Sequence, residues 1–154
     1  MDLSFHAYDQ LFTVYESERL AAWNANPIMR WVGVEFLEIA DGQALGRVAR
    51  QPHHLGGGGR ATMNGAVIAA LFDVMLGAAL ASVRIRTPQA TLQLGVTYET
   101  GLEGAVGDIA LCRTRVTRAG QTVGFVQGEL TDASGKVCAR ADGVFRRFLQ
   151  HPAK

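Results

Sequence analysis

Between Arg60 and Arg84 the chain runs for 23 residues with one charged side chain, that of Asp73. A stretch this apolar must be covered on most of its surface, either by a membrane or by the core of a soluble domain. Its many alanines, together with Asn64 and Asp73, argue against a membrane because inserting an aspartate there is costly. We therefore expect one long helix, from about Asn64 to Ser82, at the centre of a soluble domain.

Strand patterns lie on both sides of this helix. Asp41 and Gly42 separate two strand-like runs and therefore predict a hairpin turn. Residues 90–99 alternate apolar and polar side chains without interruption, which predicts a half-buried strand with Thr91 on its polar face. The apolar face of that strand comprises Ala90, Leu92, Leu94, Val96 and Tyr98. Three further strands, made antiparallel neighbours by tight turns, are expected near residues 106–117, 121–131 and 136–148.

The order of these elements predicts an α+β domain in which an antiparallel sheet of about six strands wraps around one long central helix. Before the sheet, residues 4–25 have the pattern of an amphipathic helix, which Asn26 and Pro27 end. A short turn over residues 27–33 leads into the first strand. Without an internal repeat, we expect a single domain over 1–154, with 1–27 as a helical extension and 28–148 as its core.

The composition and the start of the chain bear on partners and location. A formal net charge of +1 gives no reason to expect nucleic acid as a partner. The first ten residues lack the basic and then apolar pattern of a signal peptide, so a cytoplasmic location is expected. Cys112 and Cys138 are then expected to be reduced side chains of the core.

Asn64 and Gly65 begin the predicted helix. Asparagine is a favoured helix cap, and the first N–H groups of a helix lack partners within it while lying at the positive end of its dipole. Because Gly65 has no side chain, a carbonyl oxygen could approach its N–H closely, as in an oxyanion hole made from backbone. Plain capping of the helix is the alternative interpretation.

Asp73 also has two interpretations. As a structural group it would cap a neighbouring segment or pair with Arg84 or Arg86; as a functional group it would accept a proton from water or attack a substrate. A rise of about 1.5 Å per residue places Gly65 and Asp73 about 12 Å apart along one helix. The two groups cannot both touch one reacting carbonyl. A site that used both would combine Gly65 of one subunit with Asp73 of another, and would require a dimer.

The loop before the helix suggests two further kinds of site. Four glycines, Gly56 to Gly59, precede Arg60, but no Lys-Ser or Lys-Thr pair follows, which excludes a Walker motif. A mobile loop that admits or covers a substrate is the better interpretation. His53 and His54 precede this loop, but two adjacent histidines without further ligands do not predict a metal site.

Arg113, Arg115 and Arg118 form the one basic cluster of the sequence with a possible function. Arginine suits bidentate contacts to phosphate, so the cluster either grips the phosphates of a nucleotide-bearing ligand or forms a solvated strand face. Both interpretations stay open at the level of the sequence.

Taken together, these motifs resemble those of hotdog-fold thioesterases of the phenylacetate-degradation (PaaI-like) type. That family shows the pattern WxGhxh, then HGG, then an Asp nine residues after the His, then a strand of the form xVxhxhxYh. The corresponding segments here are Trp31–Phe36, Asn64–Ala66, Asp73 and Thr91–Tyr98, followed by a turn at Arg118–Gly120. The similarity covers about residues 28–148.

The resemblance implies an acyl-CoA thioesterase for short-chain, medium-chain or aromatic acyl groups, with CoA as part of the substrate and no further cofactor. It implies that the N–H of Gly65 polarises the thioester carbonyl, while Asp73 of the other subunit activates water or attacks the carbonyl. The hydroxyl of Thr91 would help to hold that water or acid, and Asn64 would orient the helix start or the substrate. The implied substrate-binding residues are Gly58, Arg60 and Arg118. The active protein would be a homo-oligomer, either a dimer or a dimer of dimers, without nucleic-acid or membrane partners.

Two departures from the family pattern leave the activity open. Asn64 stands in place of the usual His and cannot exchange a proton near neutral pH, and Gly58 replaces the usual upstream Asn. Either Asn64 takes over the orienting role, or activity is reduced or directed to an unusual substrate, or the chain binds an acyl-CoA without turnover. A hotdog hydratase is a weaker alternative because it needs an Asp and His pair at the helix start, and no His lies between His54 and His151.

Overall fold

The structure is a computed structural model that describes residues 16–56, 61–83 and 88–148. Its three α-helices are α1 (Glu16–Ala25), α2 (Pro27–Val32) and α3 (Gly65–Ala81). Its six strands are β1 (Val34–Ala40), β2 (Gln43–Ala49), β3 (Gln89–Tyr98), β4 (Ile109–Ala119), β5 (Val123–Thr131) and β6 (Val137–Arg147). The predicted helix over residues 4–25 is present from Glu16 onward, and residues 4–15 lie outside the described part of the chain.

All six strands form one antiparallel sheet in the order β1-β2-β4-β5-β6-β3. The helix α3 packs across one face of this sheet, and the opposite face is called the outer face below. The predicted α+β architecture, a sheet of about six strands around one long helix, is confirmed. The last three strands begin one to three residues later than the alternating pattern predicted.

The core forms between α3 and the sheet. Large buried side chains of the helix include Leu71, Phe72, Met75 and Leu76, and those of the sheet include Phe36, Val126 and Phe145. Burying each large apolar side chain stabilises the fold by about 1.5–3 kcal/mol. Cys112 and Cys138 are buried and form no disulfide, as expected. Among the described helices, none has both the length and the apolar character that crossing a bilayer demands.

Two local predictions have different outcomes. The predicted hairpin is confirmed: Asp41 and Gly42 have φ angles of 49° and 77° and join β1 to β2. The predicted turn over residues 27–33 is wrong, because Pro27–Val32 form the short helix α2. Asn26 accepts a hydrogen bond from the N–H of Ile28, and proline suits the first helical position. The same Asn-Pro pair that ends one helix therefore begins another.

Gly33 ends α2 in a left-handed conformation, with a φ of 71°. A Cβ added there would meet the carbonyl oxygen of Ala49 and lie 2.8 Å from Cε1 of His54. Neither neighbour can move easily, because one is strand backbone and the other is a fully buried ring. The glycine of the sequence motif at residues 31–36 is therefore required by the backbone and by packing.

Gly33→Ala is expected to lower the free energy of unfolding by about 2–4 kcal/mol, because backbone strain adds to overpacking. Urea unfolding followed by circular dichroism measures this loss. Gly135→Ala is the matched control, since Gly135 also has a positive φ, 86°, but an added Cβ would meet none of the described residues within 4 Å. The control is expected to lose about 1 kcal/mol. Equal losses in the two variants would contradict the packing argument.

The two edges of the sheet differ in how they are covered. At the β1 edge, the side-chain amide of Asn24 accepts from the N–H of Phe36 at 2.7 Å and donates to its carbonyl at 3.1 Å. This contact fastens α1 against β1. At the opposite edge, β3 pairs with β6 on one side, and no described strand pairs with its other side. The exposed fractions of Leu92 and Tyr98 there are 59% and 50%. An open strand edge with apolar side chains favours pairing with another chain.

Strand β3 contains a β-bulge that the sequence pattern concealed. Thr91 is paired with Phe145 of β6, whereas Gln93 is paired with the next residue back, Val144. The extra residue, Leu92, changes the alternation, so Thr91 faces α3 together with Leu94 rather than lying opposite to it. The prediction of an uninterrupted alternation was therefore wrong, and the difference decides where the hydroxyl of Thr91 lies.

Candidate active site

The first turn of α3 has one backbone donor for which the described part of the chain supplies no acceptor. The Oδ1 atom of Asn64 accepts from the N–H of Ala66 at 2.8 Å, which is a helix cap. The carbonyl of Asn64 accepts from the N–H groups of Val67 and Ile68 at 3.0 and 3.1 Å. Among the described residues, the N–H of Gly65 has no acceptor. It is the donor at this helix start that is left for a ligand.

The segment before α3 is fastened by a buried arginine. The guanidinium of Arg50 donates to the carbonyls of Ala61 at 3.1 Å and of Leu102 at 2.8 Å, and also to that of Gly104. The N–H of Asn64 donates in turn to the carbonyl of His54 at 2.6 Å. These contacts fix the chain before residue 57 and after residue 60, so that Gly65 has a defined position.

The two histidines of this region have structural contacts. His54 is fully buried, and its Nδ1 accepts from the N–H of Gln51 at 3.2 Å. Its proton is therefore assigned to Nε2, which donates to the carbonyl of Trp31 at 2.6 Å. Burial lowers the pKa of His54, which keeps the ring neutral at pH 7. Nε2 of His53 lies 2.8 Å from the same carbonyl. No three potential metal ligands come together in the described part of the chain.

Tyr98 covers the start of α3. Its hydroxyl donates to the carbonyl of Gly65 at 2.6 Å. A Cβ added to Gly65 would lie 3.3 Å from Cζ and from the hydroxyl oxygen of Tyr98. From the sequence Tyr98 is predicted only as part of an apolar strand face, and this contact is not. The available signal was a hydroxyl at the end of a face that is otherwise aliphatic.

Asp73 and Thr91 are brought together by the bulge in β3. The hydroxyl of Thr91 donates to Oδ1 of Asp73 at 2.7 Å. Thr91 is the one hydrogen-bond partner of this carboxylate among the described residues, and none of them contacts Oδ2. Asp73 is half-buried, because the sheet leaves one flank of α3 uncovered. The alternative partners Arg84 and Arg86 lie outside the described residues.

The uncovered flank of α3 carries both candidate groups. Gly65, Ala69 and Asp73 are spaced four residues apart and therefore lie on one side of the helix. None of the three is buried in the single chain. Strand β3 runs beside this flank and contacts both ends of it, through Tyr98 at Gly65 and through Thr91 at Asp73. The arrangement presents a hydrogen-bond donor and a base to whatever covers the flank.

Arg113, Arg115 and Arg118 lie on β4, three strands away from β3 in the sheet, and not beside this flank. Gly58 and Arg60 lie outside the described residues. Arg113 and Arg115 point to the outer face, where they line a cavity of about 320 Å³. Arg118 is exposed and follows an irregularity in the pairing of β4 with β5. Because Arg113, Arg115 and Arg118 are paired with Glu129, Gln127 and Phe125, all three arginines lie on the outer face.

The comparison with protein families gives one match. The family model of the thioesterase superfamily matches residues 61–139. This stretch contains all four residues in contact on the uncovered flank, namely Gly65, Asp73, Thr91 and Tyr98. No curated protein matches the chain in sequence.

Solved structures resemble the chain over most of its length. The E. coli PaaI protein from the phenylacetic acid degradation operon has a TM-score of 0.74 and 17% identity, covering 96% of this chain and 97% of that chain. Zebra fish thioesterase superfamily member 2 has a TM-score of 0.73 and 22% identity, covering 96% of this chain and 100% of that one. A hypothetical thioesterase from Streptococcus pneumoniae, solved with coenzyme A, has a TM-score of 0.68 and 18% identity over 77% and 88% of the two chains. These likenesses confirm the predicted hotdog fold.

Proposed function

The chain belongs to the thioesterase superfamily and is a thioester hydrolase, and on this premise we propose that its substrates are acyl-CoA thioesters with short-chain, medium-chain or aromatic acyl groups. The observation that carries the proposal is the uncovered flank of α3, with the unused N–H of Gly65 and the carboxylate of Asp73 held by Thr91. The coenzyme A bound to the Streptococcus relative supports a CoA substrate. The proposed reaction needs no separate cofactor, and the proposal places the protein in the cytoplasm.

In the proposed reaction the thioester oxygen accepts a hydrogen bond from the N–H of Gly65. The positive end of the α3 dipole stabilises the negative charge that develops there. Asp73 of a second copy takes a proton from water, whose oxygen attacks the carbonyl carbon. The carbon–sulfur bond of the tetrahedral intermediate then breaks, and the thiolate of CoA takes the proton from the carboxyl group. Direct attack by Asp73 would instead form an acyl anhydride, which water hydrolyses to the same products.

The geometry of α3 supports a site shared by two chains. A rise of about 1.5 Å per residue separates Gly65 from Asp73 by about 12 Å, so one chain cannot apply both groups to one carbonyl. Two β3 edges related by a twofold axis would pair antiparallel. An axis near the middle of β3 would run two α3 helices in opposite directions and bring Gly65 of one chain towards Asp73 of the other. We therefore include a homodimer, alone or paired with a second one, in the proposal.

Mixing two inactive variants tests the shared site. Asp73→Asn and Gly65→Pro each remove one of its halves, so each homodimer is expected to be inactive. A heterodimer has one intact site, built from Gly65 of the first variant and Asp73 of the second. Co-expression should restore roughly a quarter of wild-type turnover, since half of the dimers are heterodimers with one of two sites intact. A mixture as inactive as its components would contradict a site shared between subunits.

A thiol-release assay tests the activity itself. We expect saturable release of CoA from at least one member of a panel that includes acetyl-CoA, hexanoyl-CoA and phenylacetyl-CoA, and none above background with Asp73→Asn. A protein that binds acyl-CoA without turnover is the second candidate, because Oδ1 of Asn64 is engaged as a helix cap and its amide transfers no proton. If this second candidate is right, calorimetry will show that the protein binds acyl-CoA, and the assay will detect no thiol released from any member of the panel.

A further inference from the structure

We propose that the outer face of the sheet holds a second ligand site, which takes the diphosphate group of a nucleotide. The site is a cavity of about 320 Å³ over strands β2, β4, β5 and β6, called the outer pocket below. Its outward-facing side chains are those of Gln43, Arg113, Arg115, Gln127, Glu129 and Arg140. The inference does not rest on the proposed hydrolysis, because none of these residues lies on the uncovered flank of α3.

Two arginines of the outer pocket, Arg113 and Arg115, form no ion pair with any carboxylate of the described residues. Arg113 lies opposite Glu129 in the sheet, but the carboxylate of Glu129 accepts instead from Nη1 of Arg140 at 2.9 Å. Arg115 lies opposite Gln127, and its Nη2 is 3.5 Å from the amide oxygen of that residue. The lining of the pocket, with three arginines and one glutamate, therefore has an excess of positive charge.

Carboxylates are present on this face of the sheet, yet none of them neutralises the two arginines. Glu35 and Glu129 are engaged by Arg47 and Arg140. The other carboxylates beside the pocket make no ion pair with either arginine; they are Glu38 and Asp142. Two like charges side by side repel each other, so an anion bound between them stabilises this face. The unmatched charge distinguishes the pocket from a strand face on which each arginine has its own partner.

The spacing of Arg113 and Arg115 suits two linked phosphate groups. Residues two apart on a strand project from one face about 7 Å apart, and each guanidinium can grip a phosphate through two parallel N–H bonds. The amides of Gln43 and Gln127, on the strands to either side of Arg115, supply neutral donors. Sites for small ligands measure about 300–1,000 Å³, so this pocket is large enough for a diphosphate and too small for a whole CoA molecule.

The outer pocket is separate from the candidate active site. The sheet lies between the pocket and α3, since Thr114 at the floor of the pocket donates from its hydroxyl to the carbonyl of Met75 on the helix side. Strand β4, which carries both arginines, is also three strands away from β3. Free nucleotides and CoA both contain a diphosphate group. Because of its position, we assign the pocket to a free nucleotide rather than to the nucleotide part of the CoA substrate.

Calorimetric titration of the full chain with sodium diphosphate tests the inference. We expect saturable binding to the wild type, and binding weaker by about tenfold or more when Arg113→Gln and Arg115→Gln are combined. Inorganic phosphate should bind the wild type about tenfold more weakly than diphosphate, since it engages one guanidinium. The matched control combines Arg47→Gln with Arg146→Gln, which removes the same charge from the same face outside the pocket. Its affinity for diphosphate should change less than about twofold, and circular dichroism checks the fold of both double variants.

ADP and the KM for acyl-CoA distinguish the two sources of a diphosphate group. ADP should displace sodium diphosphate from the wild type, while the combined Arg113 and Arg115 variant should keep KM for acyl-CoA within about twofold of wild type. A KM raised about tenfold would overturn a separate site, because it would assign the pocket to CoA. Absence of diphosphate binding, equal affinities for phosphate and diphosphate, or equal losses in the two double variants would also overturn the inference. The titrations need no turnover, so they decide the inference even if the proposed hydrolysis fails.

Discussion

Asp73→Asn is expected to lower kcat for acyl-CoA hydrolysis by about 10³-fold, with KM changed less than about threefold. Asparagine keeps the shape of the side chain, and its Oδ1 can still accept from the hydroxyl of Thr91, which lies 2.7 Å away. It can neither take a proton from water nor attack a carbonyl. The loss therefore falls on the chemical step rather than on substrate binding.

Thiol release measured at saturating substrate gives this kcat, and thermal unfolding with size-exclusion chromatography shows whether fold and assembly persist. Asp142→Asn is the matched control, because Asp142 is an exposed carboxylate of β6 with no part in the proposed site. It makes the same change of charge and should retain wild-type kcat. Retention of more than about a tenth of wild-type kcat in Asp73→Asn would exclude Asp73 from the chemistry.

Gly65→Pro is expected to lower kcat by about 10²–10³-fold, the usual effect of losing one oxyanion-hole donor. Proline lacks an N–H and is favoured at the first position of a helix. Asn64 already has φ −61° and ψ 134°, a conformation that a residue before proline can adopt. The substitution thus removes the donor while the helix can still begin at the same residue.

Gly65→Ala separates loss of the donor from crowding at the same position. Alanine keeps the N–H, but its Cβ would lie 3.3 Å from the ring of Tyr98, so that ring must move by a few tenths of an ångström. We expect a decrease in kcat of about threefold to tenfold, since a small displacement near the site costs less than a missing donor. Both kcat values come from the thiol-release assay, with thermal unfolding as the test of folding. Equal losses in the two variants would show that crowding, and not the N–H, limits the reaction.

Local patterns predicted most of the fold. The apolar run with one charge predicted α3 almost to the residue, since the helix occupies Gly65–Ala81 with Asn64 as its cap. The Asp41 and Gly42 pair predicted the hairpin because a tight turn depends on local backbone angles. The bulge in β3 escaped prediction because it depends on pairing with β6, which is distant in sequence. Within the strand itself, Leu92 continues the alternation and conceals the extra residue.

The candidate site was less predictable than the fold. Its two main groups followed from the helix start and the isolated charge, and the rise of an α-helix showed that they stand too far apart for one chain. The contacts of Thr91 and Tyr98 were not predictable from local sequence, because each joins β3 to a helix about twenty to thirty residues earlier. The half-burial of Asp73 depends on which flank of α3 the sheet leaves uncovered, and composition does not specify that flank.

The side chain of Asn24 has a consequence for the size of any assembly. A sheet with two open edges could pair with a further copy at each edge and assemble without limit, as in fibrils. Here the side-chain amide of Asn24 bonds the N–H and carbonyl of Phe36, so α1 already blocks the β1 edge at that residue. Assembly by strand pairing would then stop at two copies. Asn24→Ala, which opens the β1 edge, would be expected to form filaments.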